Sequence, residues 1–430
     1  AIFCPTLTIP ATPLKAREMP TYDVLVLGAT GFTGRLACEY LANRGGEKVN
    51  WAMAGRSLDK LEKIRKELPE SAKDTPLVKV DVKNPADLEE AAKSSKVIIN
   101  YAGTPYSDKA LPVVEACVNN GSCYIDITGE VNFVKSSVDR YDEKAKEKKS
   151  LIVHCCGFDS IPSDIGAFLA ASEMKKRHNM GCARIRTVIG DQSGDFSGGT
   201  LESGAYMMDN PNIENADAMK KPYGLDPPGG QAGPDTTDFG GIRALGYDKD
   251  AESWAMPFVM APVNCRIIRR SNALLGYPYG NACSVGEVME VPGPLSGSLM
   301  VSGLALFGAL FYMRPTRWVL QKTVLPAPGE GPSKETRDNG YFNLRAIAVG
   351  EKALEGGAAP KVVAQVKSGT GGDPGYKCTA LMSVEAGLCC ALQKDKCSAQ
   401  GGVTTPAAGL GSVLVDRLNA AGMSLSVDAA

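Results

Sequence analysis

Histidine is nearly absent: His154 and His178 are the only two in 430 residues. A histidine-based zinc site and a Ser-His-Asp hydrolase relay are therefore not expected. Excess charge is missing too, and a net charge of −1 gives no electrostatic footprint for nucleic acid. The 13 cysteines contain no CxxC pair. Their odd number and scatter, with adjacent pairs at Cys155-Cys156 and Cys389-Cys390, read as reduced thiols of an intracellular compartment, the adjacent ones as packing residues. No internal repeat is visible. What remains is the balance of a folded globular protein, 44% hydrophobic and 22% charged, in a chain long enough for two domains.

The most informative stretch runs from Asp23 to Ala37. Val24 to Leu27 form an apolar run too short for a helix, followed by Gly28-Ala29-Thr30-Gly31-Phe32-Thr33-Gly34. Glycines at this spacing let a backbone turn tightly, approach a pyrophosphate and pack a helix against a sheet. The expected cradle is Gly28, Thr30, Gly31, Phe32, Thr33 and Gly34, with phosphate attracted by helix N-terminal amides and the helix dipole. The next strand, Asn50 to Ala54, finishes at Gly55-Arg56-Ser57. An acidic residue here takes a ribose hydroxyl in NAD-selective folds, whereas an arginine accommodates a 2′-phosphate. Arg56 and Ser57 therefore favour NADP(H) over NAD(H), unless Arg56 is only a solvated residue opening the helix Leu58 to Leu68.

Further strands follow at Leu77 to Val80, Val97 to Asn100, Cys123 to Ile127 and Leu151 to Cys156, with helices between them. Such alternation predicts a doubly wound parallel sheet of the Rossmann type. Ligands gather at the carboxyl ends of its strands, which points to Asp81 near the adenine and to Asn100 through Gly103 to Tyr106 beneath the nicotinamide. The loops after Ile127 and Cys156 should reach the same crevice. Residues 1–18, with three prolines and no periodicity, read as an extended arm able to lie along a partner. A chain opening at Ala1 suits a processed organellar form or a trimmed one.

Several of these segments resemble the saccharopine dehydrogenase-like oxidoreductases, close to the trans-acting enoyl reductases. The likeness is carried by Gly28 to Gly34, Ala54 to Leu61, Tyr124 to Glu130 and Cys156-Gly-Phe-Asp-Ser-Ile-Pro-Ser-Asp164. It continues through Ser197 to Thr200, Gly375 to Ala380, Gly401 to Ala407 and the terminal helix Gly411 to Ala421, and so covers nearly the whole chain. The resemblance implies a Rossmann domain (19–165), an α+β substrate or interaction domain covering the cofactor (166–376), and a C-terminal helical segment returning to the first domain (377–430). Saccharopine itself is not the expected substrate, because Asp191 to Gly246 is rich in Gly, Pro and Asp but poor in arginine. The enoyl-reductase branch implies lipid-like acyl chains, and other relatives associate with lipid droplets and membranes.

Hydride transfer usually needs a proton source. The candidates are Tyr106, and Asp159 with Ser160. Tyr106 could equally stack on or pack beneath the nicotinamide, and Asp159 could cap the helix beginning near Pro162. Val291 to Met313 contains no charged residue, and its core from Leu299 to Met313 is apolar on more than one face. That core is too short for a confident span but suits an interfacial or re-entrant helix with Tyr312 and Trp318 at the water boundary, or else a buried helix or dimer face. The expected function is an NADPH-dependent reduction of a C=C bond in a hydrophobic acyl or enoyl substrate, on a peripheral membrane or lipid-body surface inside the cell, with a plastid or mitochondrion as possible sites. The alternative is a non-catalytic Rossmann subunit of a membrane protein complex.

Overall fold

The computed structural model describes residues 19–103, 105–194, 198–230, 233–234, 237–325, 331–354 and 357–428. The N-terminal arm, Thr104 and the start of the Ser197 to Thr200 motif lie outside them. Two seven-stranded sheets organise the described residues. The first is formed by β1 (Tyr22–Leu27), β2 (Trp51–Gly55), β3 (Leu77–Lys79), β4 (Ser95–Asn100), β5 (Cys123–Asp126), β6 (Leu151–Val153) and β13 (Gly402–Thr404), in the order β13-β6-β5-β4-β1-β2-β3. Every pairing in it is parallel, with Leu27 opposite both Ala54 and Asn100. Val24 to Leu27 and Val97 to Asn100 are buried throughout, as a sheet covered on both faces requires.

The second sheet contains β7 (Cys182–Ser193), β8 (Gly246–Asp248), β9 (Ser253–Pro257), β10 (Ser284–Glu290), β11 (Tyr341–Gly350), β12 (Lys361–Lys367) and β14 (Ser424–Val427), ordered β14-β12-β11-β7-β10-β9-β8. It is mixed: β7 and β10 run parallel, and the remaining pairs are antiparallel. The helix Ile161–His178 packs on this sheet, where Gly166 admits the side chains of Leu344, Ala346 and Val366. The helix Lys377–Leu392 instead covers the first sheet, with Gly387 against Ile99. It is fastened there by Glu385, which accepts from Tyr40 at 2.7 Å and pairs with Arg44 at 3.0 Å and Arg417 at 2.8 Å.

Residues past 400 contribute a strand to each sheet, Val403 beside Ile152 and Leu425 beside Val366. The C-terminal segment read from sequence as helical therefore also carries two strands. Both strands are too short to announce themselves by pattern. The sixth strand is also shorter than expected, because Cys155 adopts φ +61° and bends the chain out of the sheet.

The charge-free segment forms the helix Pro294–Tyr312, in which only Gly297 and Phe311 are buried. By length and composition it could cross a membrane. The amphipathic helix Arg314–Thr323 follows immediately. Arg314 and Arg317 both pair with Asp209, at 3.0 and 2.7 Å, which closes the helix Gly198–Asp209. The earlier alternative of a buried helix does not hold for this stretch, since Leu295, Leu304 and Leu306 stand exposed.

Candidate active site

Parallel pairing places the loops after β1 to β6 along one edge. Gly28, at φ +84°, lies against the backbone after β4, and a Cβ there would stand 2.6 Å from the Ala102 amide nitrogen. A Cβ on Gly34 would meet the Gly28 carbonyl at 2.2 Å. These two contacts explain the glycines and leave a cradle that side chains do not fill. The helix Phe32–Asn43 starts there with Gly31 as its N-cap, no capping side chain and no acid in its first turn. Its first-turn amides of Phe32, Thr33 and Gly34 have no intrahelical acceptors, and Thr30 is exposed beside them. The pattern fits a pyrophosphate, which carries the negative charge that such an N-terminus favours.

Arg56 is exposed at the end of β2 and has no hydrogen-bond or ion-pair partner among the described residues, while Ser57 caps the next helix by accepting from the Lys60 amide. Asp81 follows β3 by two residues and is half-buried; its carboxylate accepts from the Lys83 amide at 3.0 Å. Gly103, at φ +105°, turns the chain after β4. Glycine loop, Arg56 and Gly103 thus lie at the carboxyl ends of neighbouring parallel strands, where a dinucleotide groove forms in such folds, with Asp81 beside Arg56 through the Val80 amide bonded to the Gly55 carbonyl at 3.0 Å.

Tyr106 and Ser160 do not face this groove, and both receive structural roles. Tyr106 is 4% exposed, packs on Phe133 and donates its hydroxyl to the Asn100 carbonyl at 3.0 Å. Burial first, and then the Asp126 charge, push its phenol well above the ordinary range. Ser160 is buried and donates to Asn264 Oδ1 at 2.9 Å. It is also the N-cap residue of the helix Ile161–His178, although its side chain makes no capping bond. Asp159 therefore does not cap that helix. The Cys155 and Cys156 thiols are buried and driven upward chiefly by desolvation, which keeps them protonated.

Asp159 differs from the acids around it. Glu130 accepts from the amides of Tyr106 and Ser107 and from the Ser203 hydroxyl at 2.9, 2.8 and 2.9 Å. Asp126 receives the Thr128 and Cys155 amides and contacts His154 Nδ1 at 2.7 Å. Asp164 is held by Ser271 and by the Ala407 amide, and Glu287 by Ser163, Thr187 and Asn264. The half-buried Asp159 carboxyl has no hydrogen-bond or ion-pair partner among the described residues, and burial raises it to about 6. Its Oδ2 would lie 3.8 Å from a Cβ on Gly129, and Met260 borders the same spot. The loops after β5 and β6 therefore do converge, and Met260 of the second unit closes one side.

Two features escaped the sequence reading. Ser137, His154 and Asp126 form a hydrogen-bonded chain, with His154 Nε2 at 2.9 Å from Ser137. All three are sealed from solvent, so they knit β5, β6 and the helix Val131–Glu147 together rather than forming an accessible relay. Glu130 anchors the helix Gly198–Asp209 through Ser203. Its position at the carboxyl end of a predicted strand was the only signal available for it.

The glycine turn at the edge of the parallel sheet and the second unit with its mixed sheet define a dinucleotide-binding oxidoreductase of two units. Residues 24–153 match the saccharopine dehydrogenase NADP binding domain family. The fold resembles apo saccharopine dehydrogenase (L-Glu forming) of Saccharomyces cerevisiae, with TM-score 0.54 over 95% of this chain and all of that one, at 13% identity. A Mycobacterium tuberculosis H37Rv protein, provisionally named a trans-acting enoyl reductase, is 36% identical over 94% of this chain and 97% of its own length. The trans-acting enoyl reductase of Mycobacterium bovis BCG is 32% identical over 94% and 96%. The chain belongs to this saccharopine dehydrogenase-like, trans-acting enoyl reductase family, and its cofactor is NADP(H).

Proposed function

We propose that this oxidoreductase reduces a carbon–carbon double bond of a hydrophobic acyl or enoyl substrate, with Asp159 as the proton donor, against the surface of an intracellular membrane or lipid body. Arg56 and Ser57 would hold the 2′-phosphate, the glycine loop the pyrophosphate, and Gly103 with Gly129 would border the nicotinamide end. When bound, NADPH supplies the hydride. Asp159 supplies the proton to the neighbouring carbon, so that one hydride and one proton complete the reduction. Its carboxyl can do this because burial keeps it protonated at higher pH than an ordinary aspartate.

The lipid-surface part rests chiefly on one observation: the exposed apolar helix Pro294–Tyr312 is tied through Arg314, Arg317 and Asp209 to the helix Gly198–Asp209, which Ser203 joins to Glu130 at the groove. Trp318, 62% exposed on the following helix, suits a water boundary. Names of relatives support the enoyl chemistry.

The test is NADPH oxidation by the purified protein with enoyl thioesters of increasing chain length, with and without vesicles. Turnover that rises with chain length and is stimulated by vesicles is expected. Absence of turnover, together with a stoichiometric membrane complex in gently solubilised preparations, would instead favour a structural subunit.

A further inference from the structure

The phosphate loop contains no cation of its own that faces its cradle. Its first-turn residues are Phe32, Thr33 and Gly34, and the next side chain, Arg35, is engaged with Glu67. A doubly charged pyrophosphate would thus meet backbone amides and a dipole but no cationic side chain from the first turn of the helix Phe32–Asn43. The second unit brings one to the same place. Arg337, in the short helix Lys334–Asn339, lays its guanidinium over the Phe32 ring at 5.3 Å from the centroid. Tyr376 meets that ring edge-on, also at 5.3 Å. Gly331 lies so close that a Cβ on it would stand 2.5 Å from the ring. Phe32 is the first residue of the phosphate-facing helix, so its own side chain is the platform on which the guanidinium rests.

Arg337 is held without a direct ion pair among the described residues. One nitrogen donates to the Pro332 carbonyl at 2.5 Å, and the Arg337 carbonyl receives the Asp373 amide at 2.8 Å. The Asp373 carboxylate feels the Arg337 charge, but its hydrogen bonds go to the amides of Tyr376 and Lys377 at 3.0 and 2.9 Å. Asp338 is taken by Lys334 and Lys377 at 2.6 and 2.8 Å. Arg337 itself forms no ion pair among the described residues, and its remaining donors form the kind of planar fork that suits phosphate oxygens.

We infer that Arg337 is a further cofactor-binding residue, a cation delivered by the second unit to the NADP pyrophosphate, and that cofactor binding thereby fastens this segment onto the Rossmann unit. The inference rests on NADP binding by the glycine loop and adds to it a residue from the other half of the chain. It predicts different signatures for the two arginines: Arg337 touches a group common to NADPH and NADH, and Arg56 a group that only NADPH has.

The experiment is to measure Kd for NADPH and NADH by nucleotide fluorescence with the wild type, Arg337→Ala, Arg337→Lys and Arg56→Ala, and amide hydrogen exchange of the wild type with and without NADPH. Arg337→Ala should weaken both nucleotides about tenfold or more, the usual scale of a charge-assisted contact. Arg337→Lys should recover part of this, and Arg56→Ala should weaken NADPH selectively. Residues 331–340 should gain protection when NADPH binds. The inference is overturned if Arg337→Ala binds both nucleotides within twofold of wild type, or loses NADPH alone. The exchange measurement on the wild type decides the matter even if that variant does not fold: no added protection over 331–340 overturns the inference. A wild type that binds neither nucleotide would remove the NADP reading itself, and this inference with it.

Discussion

Asp159 shows how much a single carboxyl can be read for, and where reading stops. The sequence places it on a loop after a buried strand, one residue from Ser160, with nothing to choose between the two. Packing makes the choice, because Ser160 turns inward to Asn264 while Asp159 is left without a hydrogen-bond partner among the described residues. Asp159→Asn should lower kcat by about a hundredfold or more if the group donates the proton. Since the acid must be protonated and titrates at about 6, the wild-type rate should decline as pH rises through 6, and the Asn variant should lack that decline; steady-state pH profiles of the two decide it. Arg56 was legible for the opposite reason, since a residue type at a fixed place after the second strand carries meaning without its neighbours. Arg56→Ala should cost NADPH about 1–3 kcal/mol of binding and leave NADH nearly unchanged, as titration calorimetry would register.

At the scale of elements, β1, β2 and β4 could be read because each is largely an apolar run buried on both faces and closed by glycine or a polar turn. β7 could not, since Arg186 and Thr187 lie in its buried centre and break the apolar run. β13 and β14 are three and four residues long and exist only because a sheet edge is waiting for them. The helix Pro294–Tyr312 was legible as apolar, but whether it was buried depended on tertiary packing. Its exposed leucines lead to a clear expectation. Replacing Leu304 and Leu306, 53% and 63% exposed, by Glu should leave thermal stability nearly unchanged, since exposed sites away from special features shift it by only about 0.5 kcal/mol. The same pair should abolish flotation with anionic vesicles, because charges replace the face meant for lipid. Retained flotation would sink the lipid-surface proposal.

Across the whole molecule, the junction between the helices Ile161–His178 and Ala261–Leu274 and the second sheet is built on buried acids. Glu287 is fully enclosed and raised to about 7 by desolvation, against the hydrogen bonds of Ser163, Asn264 and Thr187. Asp164 is likewise raised to about 7 between Ser271 and the Ala407 amide. An acid whose folded pKa is raised binds its proton more tightly when folded. The stability it contributes is present in full below its unfolded value and lost as pH climbs through the folded one. Stability should therefore fall between pH 4.5 and about 7 for the Glu287 contribution, and Glu287→Gln should flatten that interval in denaturant melts. No composition or motif could announce this, because the desolvation comes from elements far apart in the chain.

Strands β13 and β14 have a consequence for how the molecule comes into being. Val403 pairs with Ile152, and Leu425 with Val366, so neither sheet has its final edge until residues 402–427 have left the ribosome. The first sheet must wait through about 250 residues of synthesis with the flank of β6 uncovered, a long interval for an unpaired strand edge in a crowded cell. The topology thus predicts chaperone engagement of the nascent chain until residues 402–427 emerge.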